Sequence, residues 1–419
     1  MDLDMHYYSA YVAALYVGYT PDEAQTIAHA SEYIDDSTSD IAKKASYIGG
    51  GKTLTFDPIK TFCTETQMFS GWIPNDKEII QFRRMLAPFH FLPGNYKSKT
   101  HSDPDAEKRI LPYTGEKSYN GYFSDWKYGP RTEWEFKLMS LPRSPLVEAM
   151  INDTIDNHKG HPYEKYLIGA RMHVLMDTWS HMYYSGSPCW SVNEVIGDVF
   201  DTTDNNNKKI EWGLFGNDEL CAPASPSYLS AAYAGHARMG HIPDYPWLTF
   251  KYNPKWSKDT ITKVTSEAFL TGFTQMITAL SAIKNGTKFS ALNDLTTIDP
   301  DLLAAVKNIL NFKWPLGTSF SRVLDLCCKQ WKDSINNGSI KINNKPIPLP
   351  AEYSANKWVQ DAEKAGKYDS WKNTFKDAGG LKNSEYYLFD TAAKIHQSFV
   401  LSILTDEGLK LDDPPPMLS

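Results

Sequence analysis

The apolar positions of residues 6–19 recur at helical spacing, and Gly18 closes that run. "TPDEA" (20–24) then opens a second helix. Thr20 stands at the cap, Pro21 at the first helical position and Glu23 at the capping-box position, so helix is predicted to about Asp36. Residues 48–130 have no sustained period and are rich in Gly, Pro, Tyr and Trp. They predict a long irregular excursion with short helices near 76–87 and short strands, the kind of loop that walls an active site. Helical pattern returns over 144–158 and strongly over 162–184, and residues 185–226 read as loop, "DTTDNNNKK" included. Further helices are expected near 227–240, 257–284, 300–312, 318–336, 355–365 and 384–406, before a solvated tail "DDPPPMLS". The expectation is a mainly α, multi-helix fold with long irregular loops. Its helical core would span 1–285, with insertions at about 48–130 and 185–226, and residues 286–419 would pack on it as a helical extension.

Composition narrows the classes. Of 419 residues, 42% are hydrophobic and 13% aromatic, which supports a large core and excludes a disordered chain. The formal net charge of −7, with no basic run, disfavours a long nucleic-acid partner. Cysteines 63, 189, 221, 327 and 328 show neither CxxC nor zinc-finger spacing, and their odd number fits reduced thiols in a cytoplasmic setting. The start "MDLDMHYYSAYVAALYVGYTPDEAQ" lacks the basic region of a signal peptide, and no apolar run reaches the roughly 18 residues of a membrane span. "GGGKT" (49–53) lacks the first glycine of a phosphate-binding loop, since Ser46 stands there, and reads as a turn.

Candidate chemistry gathers in short windows. In "HVLMDTWSH" (173–181), His173, Asp177 and His181 fall at intervals of four on a stripe with core-like neighbours. The stripe is about 12 Å long, too long for one ion on a straight helix. Neighbouring pairs would each take an ion, with Asp177 able to bridge two, or the segment is a satisfied core histidine with its carboxylate. "AGHARMGHIPDYPW" (234–247) brings His236, His241 and Asp244 to a bend marked by Gly240 and Pro243. In "MDLDMHYY", Asp2, Asp4 and His6 alternate and would share one side of an extended segment. Five of the eleven histidines lie in these windows, while His29 precedes the acidic pair Asp35–Asp36 by a few residues. Imidazole with carboxylate suits Zn²⁺, with iron or manganese as alternatives. His90 in "APFHFLPGNY" reads as a buried structural histidine, a ligand or a substrate contact. His158 and His161 read as a helix–loop junction, and His101 as exposed loop.

In chain order, "MDLDMHYY", "HASEYIDD", "HVLMDTWSH" and "GHARMGHIPD" resemble the ligand segments of the zinc-dependent phospholipase C and single-strand nuclease superfamily. "DxDxHYY", "PFHFLPG" and "GHxPDxPW" also resemble a leaderless family of unknown function associated with it. The likeness covers about residues 1–250. It implies an α-helical metallohydrolase with two or three zinc ions in a cleft, acting on a small-molecule or lipid phosphoester. Three departures stand out: the superfamily's secreted members bind metal through a processed N-terminal Trp, their last helix ligand follows the Asp by six residues, and their later pair is His-x3-Asp/Glu. Here Asp2, Asp4 or His6 would replace the amine.

The resemblance implies that Asp177 bridges two ions, Asp36 is a ligand, and Asp35 or Asp36 orients the attacking water. Tyr7, Tyr8 and Trp179 would wall the cleft, and His90 would contact substrate. An HD-type phosphohydrolase is disfavoured because no His-Asp dipeptide occurs, and a di-iron oxidase because the ligand-rich helices lack Glu-x2-His. A helical binding or effector protein with a structural metal stays open. Oligomeric state cannot be read from the sequence.

Overall fold

The computed structural model describes residues 1–63, 75–104, 106–115, 130–204, 207–211, 234–292, 296–314 and 320–412. Two long helices form its centre. Pro21–Asp36 starts at the expected capping box, where the Thr20 hydroxyl accepts the Glu23 N–H and the Glu23 carboxylate accepts the Thr20 N–H. Glu164–Ser180 lies against it, and 14 of its residues are buried. A helix buried on nearly every side cannot show an amphipathic stripe, which is why residues 162–184 carry their apolar residues almost all round.

Around this pair pack Ala10–Tyr16, Pro145–Asn157, Thr265–Asn285 and Glu385–Asp406. Asp76–Phe89 also begins at a capping box, on Asn75. The largest hydrophobic cluster runs from Met5 and Tyr7 through Phe273 and Met276 to Leu302, Trp331 and Leu404, so it draws on residues both before and after 285.

The expectation of a mainly α fold is overturned. The described residues are mixed α and β, with three sheets besides the helices. A four-stranded sheet is ordered Lys52–Phe56, Ala45–Gly49, Thr374–Phe375, Tyr368–Asp369. Its central pairing, Ser46 with Thr374 and Tyr47 with Phe375, is parallel and joins segments some 330 residues apart. A second sheet of four antiparallel strands is ordered Lys208–Ile210, Val195–Asp201, Thr249–Pro254, Ile261–Val264. A two-stranded ribbon pairs Lys341–Ile342 with Lys345–Pro346.

These strands escaped the periodicity for physical reasons. Lys52–Phe56 is exposed at four of its five positions and so shows no alternation. Most of the others are only two to four residues long. The helix expected over 257–284 begins at Thr265 instead. Ahead of it the β-branched run "ITKV" forms a strand. Of the helix expected near 227–240, residues 227–233 lie outside the described residues, and Ala237–Met239 is a 3₁₀ turn. "GGGKT" supplies the turn of the hairpin between Ala45–Gly49 and Lys52–Phe56. No helix among the described residues is long and apolar enough to cross a membrane. Cys63, Cys189, Cys327 and Cys328 are buried, and Cys221 lies outside the described residues.

Candidate metal centre

Asp177, buried in the helix Glu164–Ser180, is the hub. Its Oδ1 lies 3.2 Å from His6 Nε2 and 3.0 Å from the amino group of Met1. Its Oδ2 lies 3.2 Å from His90 Nδ1, 3.1 Å from His173 Nε2 and 3.5 Å from His181 Nδ1. The two oxygens therefore face different imidazoles, the arrangement a bridging carboxylate needs. Burial opposes ionisation here, but His181, the amino group, His173 and His6 outweigh it and hold the carboxyl well below its ordinary range.

Local structure explains how each donor arrives. Residues Asp4–Ser9 form a π-helical turn ahead of Ala10–Tyr16, and it buries His6 completely. Such turns are rare and gather at functional sites. The helix Glu164–Ser180 stops one residue before His181, whose N–H still bonds the Asp177 carbonyl at 2.7 Å. His181 thus leaves the straight stripe and turns its Nε2 to within 3.4 Å of Asp244 Oδ1. His236 and Asp244 come together through two 3₁₀ turns separated by Gly240. With φ 53° and ψ −135°, that position excludes side chains. His236 Nε2 lies 3.6 Å from Asp244 Oδ2.

Three groups of donors result, each within 4.8 Å of one another: His6, Asp35 and His173; His90, His173 and Asp177; His181, His236 and Asp244. They are the three-donor groups among the described residues.

Hydrogen bonds to backbone carbonyls fix the rings. His90 Nε2 donates to the Thr61 carbonyl at 3.0 Å, His181 Nδ1 to the His90 carbonyl at 2.8 Å and His236 Nδ1 to the Gly240 carbonyl at 2.8 Å. A carbonyl can only accept, so each of these nitrogens carries hydrogen. In the neutral imidazole the opposite nitrogen then presents a lone pair to the centre. Burial pushes His173 and His181 down to about 4, and burial followed by His173 drives His6 well below its usual value. These are imidazoles held neutral, the protonation state a metal ligand requires. His90 Nδ1 and His236 Nε2, opposite their carbonyl-bonded nitrogens, lie 3.2 and 3.6 Å from carboxylate oxygens.

Several residues lie elsewhere than expected. Asp35, not Asp36, joins a donor group. Its Oδ1 is 3.5 Å from His90 Nδ1 and its Oδ2 is 4.0 Å from His6 Nε2. Burial, then the charge of Asp177, raises its carboxyl well above the ordinary value. Asp36 is turned one step around the helix and accepts the Tyr353 hydroxyl at 2.5 Å. Asp2 and Asp4 belong to no three-donor group, because the segment is helical and the alternation of an extended chain does not apply. Asp2 lines the cavity, while burial drives Asp4 up to about 7 and its charge acts on the Cys327 and Cys328 thiols. His241 sits at the rim, more than a third exposed, with its Nδ1 4.0 Å from Asp244 Oδ2. His90, expected against substrate, is itself a donor.

The aromatic wall is also different. The Tyr7 hydroxyl donates to the Ala351 carbonyl at 2.6 Å, Tyr8 packs edge-on against Tyr7, and Trp179 Nε1 donates to Gln275 at 2.8 Å. None of the three lines the cavity. Phe62, Phe82, Leu86, Phe91 and Leu324 do, around a space of about 460 Å³ with His90, His181, His236, Asp35 and Asp244 along its polar side.

Sequence reasoning missed the Met1 amino group, which lies 3.3 Å from both His181 Nε2 and Asp244 Oδ1. Burial disfavours its charge, yet Asp177 and Asp244 raise it to about 12. It also missed Glu32, a buried carboxyl on the cavity wall whose Oε2 has no hydrogen-bond partner. Spacing from Asp35 was the signal, since residue i−3 shares its helix face.

The model of a family of unknown function, DUF6765, matches residues 1–404, and the chain belongs to that family. Comparison with curated proteins and with solved structures returns no significant match.

Proposed function

We propose that the protein is a metal-dependent hydrolase that cleaves a phosphoester with metal-activated water, on a centre of two or three zinc ions. The observation that carries this reading is the set of imidazoles fixed by backbone carbonyls with their opposite nitrogens turned to buried carboxylates. Lone pairs facing anions in a dry interior repel one another, and a shared cation turns that repulsion into ligation. The family resemblance supports the same reading, because all four motif segments contribute donors in the order it implies.

His90, His173, His6 and Asp35 would hold ions on the two sides of Asp177, and His181, His236 and Asp244 a further one. Bound ions supply a water acidic enough to ionise near neutral pH and a positive field for the phosphoryl oxygens. Asp35 is 29% exposed at its side chain and faces the cavity beside His90 and His6, so it is placed to orient the water or take its proton. The apolar walls exclude competing water, and the substrate is a small or lipid phosphodiester or monoester.

Elemental analysis of protein purified without chelator or metal-affinity resin tests the centre. Two or three equivalents of zinc are expected, falling by at least one in Asp177→Asn. A phosphoester panel on the same sample should show turnover lost with chelation and regained with zinc. Protein with no bound metal, or with activity indifferent to chelation, overturns the reading.

A further inference from the structure

Trp371 is 98% exposed, the one exposed tryptophan among the described residues of a chain that has twelve. Its backbone is also held in place. It sits in the turn joining Tyr368–Asp369 to Thr374–Phe375, where Asp369 Oδ1 accepts the N–H of Trp371 at 3.1 Å and of Lys372 at 3.2 Å. The Tyr368 hydroxyl bonds Asn373 at 2.7 Å, Asn373 Nδ2 donates to the Lys44 carbonyl at 3.0 Å, and the Ser46 N–H bonds the Asn373 carbonyl at 2.9 Å. These bonds fix the backbone of the turn, and the indole it carries stands in solvent.

Charge around this turn runs against that of the whole molecule. Residues 43–57 and 366–377 contain six lysines and three aspartates, net +3, so the rest of the chain carries −10 of the total −7. All three aspartates are committed, Asp57 to Lys44, Asp377 to Lys367 and Asp369 to Lys376. Among the described residues Lys43, Lys52 and Lys372 meet no ion-pair partner, and all three are exposed.

We propose that this sheet docks on an anionic lipid bilayer, with Trp371 inserted at the headgroup level and Lys43, Lys372 and their neighbours on the lipid phosphates. An indole settles where an apolar body meets a wet boundary, and each lysine near an anionic leaflet contributes about 1 kcal/mol, or roughly fivefold in binding. A single insertion with a few lysines gives reversible attachment.

The test is co-sedimentation of the full chain with phosphatidylcholine vesicles and with vesicles a quarter phosphatidylglycerol. Binding to the anionic vesicles alone is expected, weakening as salt rises. Trp371→Ala should cut it at least about fivefold and Lys43→Ala with Lys372→Ala about 25-fold, with unchanged thermal melting. Lys313→Ala with Lys329→Ala, outside this sheet, should leave it near wild type. No binding, equal binding to neutral vesicles, an unaffected Trp371 variant, or an equal loss in the outside pair each overturns the proposal.

Discussion

Asp244 shows how far the aim of a candidate ligand is set by residues outside the donor groups. Its Oδ1 accepts the Ser180 hydroxyl at 2.6 Å, and Ser180 is the last residue of the helix that carries His173 and Asp177. The Lys263 ammonium donates to the Ser180 carbonyl from the other side. Removing that hydroxyl takes away one of the contacts that aim Asp244 at His181 and His236, the Met1 amino group at 3.3 Å being another. Ser180→Ala is therefore expected to lower affinity for the ion at this group by about 10–100-fold, read by competition with a graded chelator, while folding and the ions at Asp177 stay nearly unchanged. Unaltered competition would remove Ser180 from the site's support. At this scale the sequence was informative where ligand types sat close together, as at His173, Asp177 and His181. It was silent on which neighbour does the work. Asp35 and Asp36 are indistinguishable as letters, and only their position around the helix sends one to His90 and the other to Tyr353.

Helix contact governs the distance between those letters. Asp35 and the Asp177 helix meet because Pro21–Asp36 and Glu164–Ser180 pack unusually close at Gly169. A Cβ built there would lie 2.3 Å from the Ile27 carbonyl oxygen and 2.6 Å from the Ala30 Cβ. Most of that obstacle is backbone, so the helices must separate to admit it. Gly169→Ala should cost about 1–3 kcal/mol by overpacking, despite the better helix propensity of alanine. It should also reduce bound metal at the groups that include His173, because Asp35 and His173 sit on opposite sides of the shifted contact. Denaturant unfolding with parallel metal analysis reads both effects; a variant as stable as wild type would show that the helices slide without strain. Helices themselves were legible: the cap at Thr20 falls where the letters place it, and the helices expected near 76–87 and 144–158 form as Asp76–Phe89 and Pro145–Asn157. The sheets were not. A parallel pairing between Ser46 and Thr374 has no local signature, and its strand Thr374–Phe375 is too short to show a period.

At the scale of the molecule the candidate centre is a tie among distant segments. Its donors come from residues 6, 35, 90, 173–181 and 236–244, and residues with no motif close it from behind. Tyr353 reaches Asp36, the Ala351 carbonyl holds Tyr7, and Leu324 of Phe320–Asn336 lines the cavity. Such a tie exists only in the folded chain, so bound ions must stabilise it by mass action. With free zinc a hundredfold above its dissociation constant the gain is about 2.7 kcal/mol per independent site, and two sites would double it. Thermal unfolding should therefore move to lower temperature on chelation and return with added zinc, in proportion to the logarithm of its concentration. Asp177→Asn removes the carboxylate charge shared by both sides of the centre. It should show a smaller dependence on zinc, and its chelated form should melt below chelated wild type, because Asn leaves the buried Met1 ammonium without the carboxylate that compensates it. The response of wild type to zinc is the discriminating comparison. Without ions, Asp177 remains bonded to the Met1 amino group and several imidazoles. If those contacts alone held the segments together, chelation and added zinc would leave wild-type melting unmoved, and the centre would be a hydrogen-bonded core in place of a metal site.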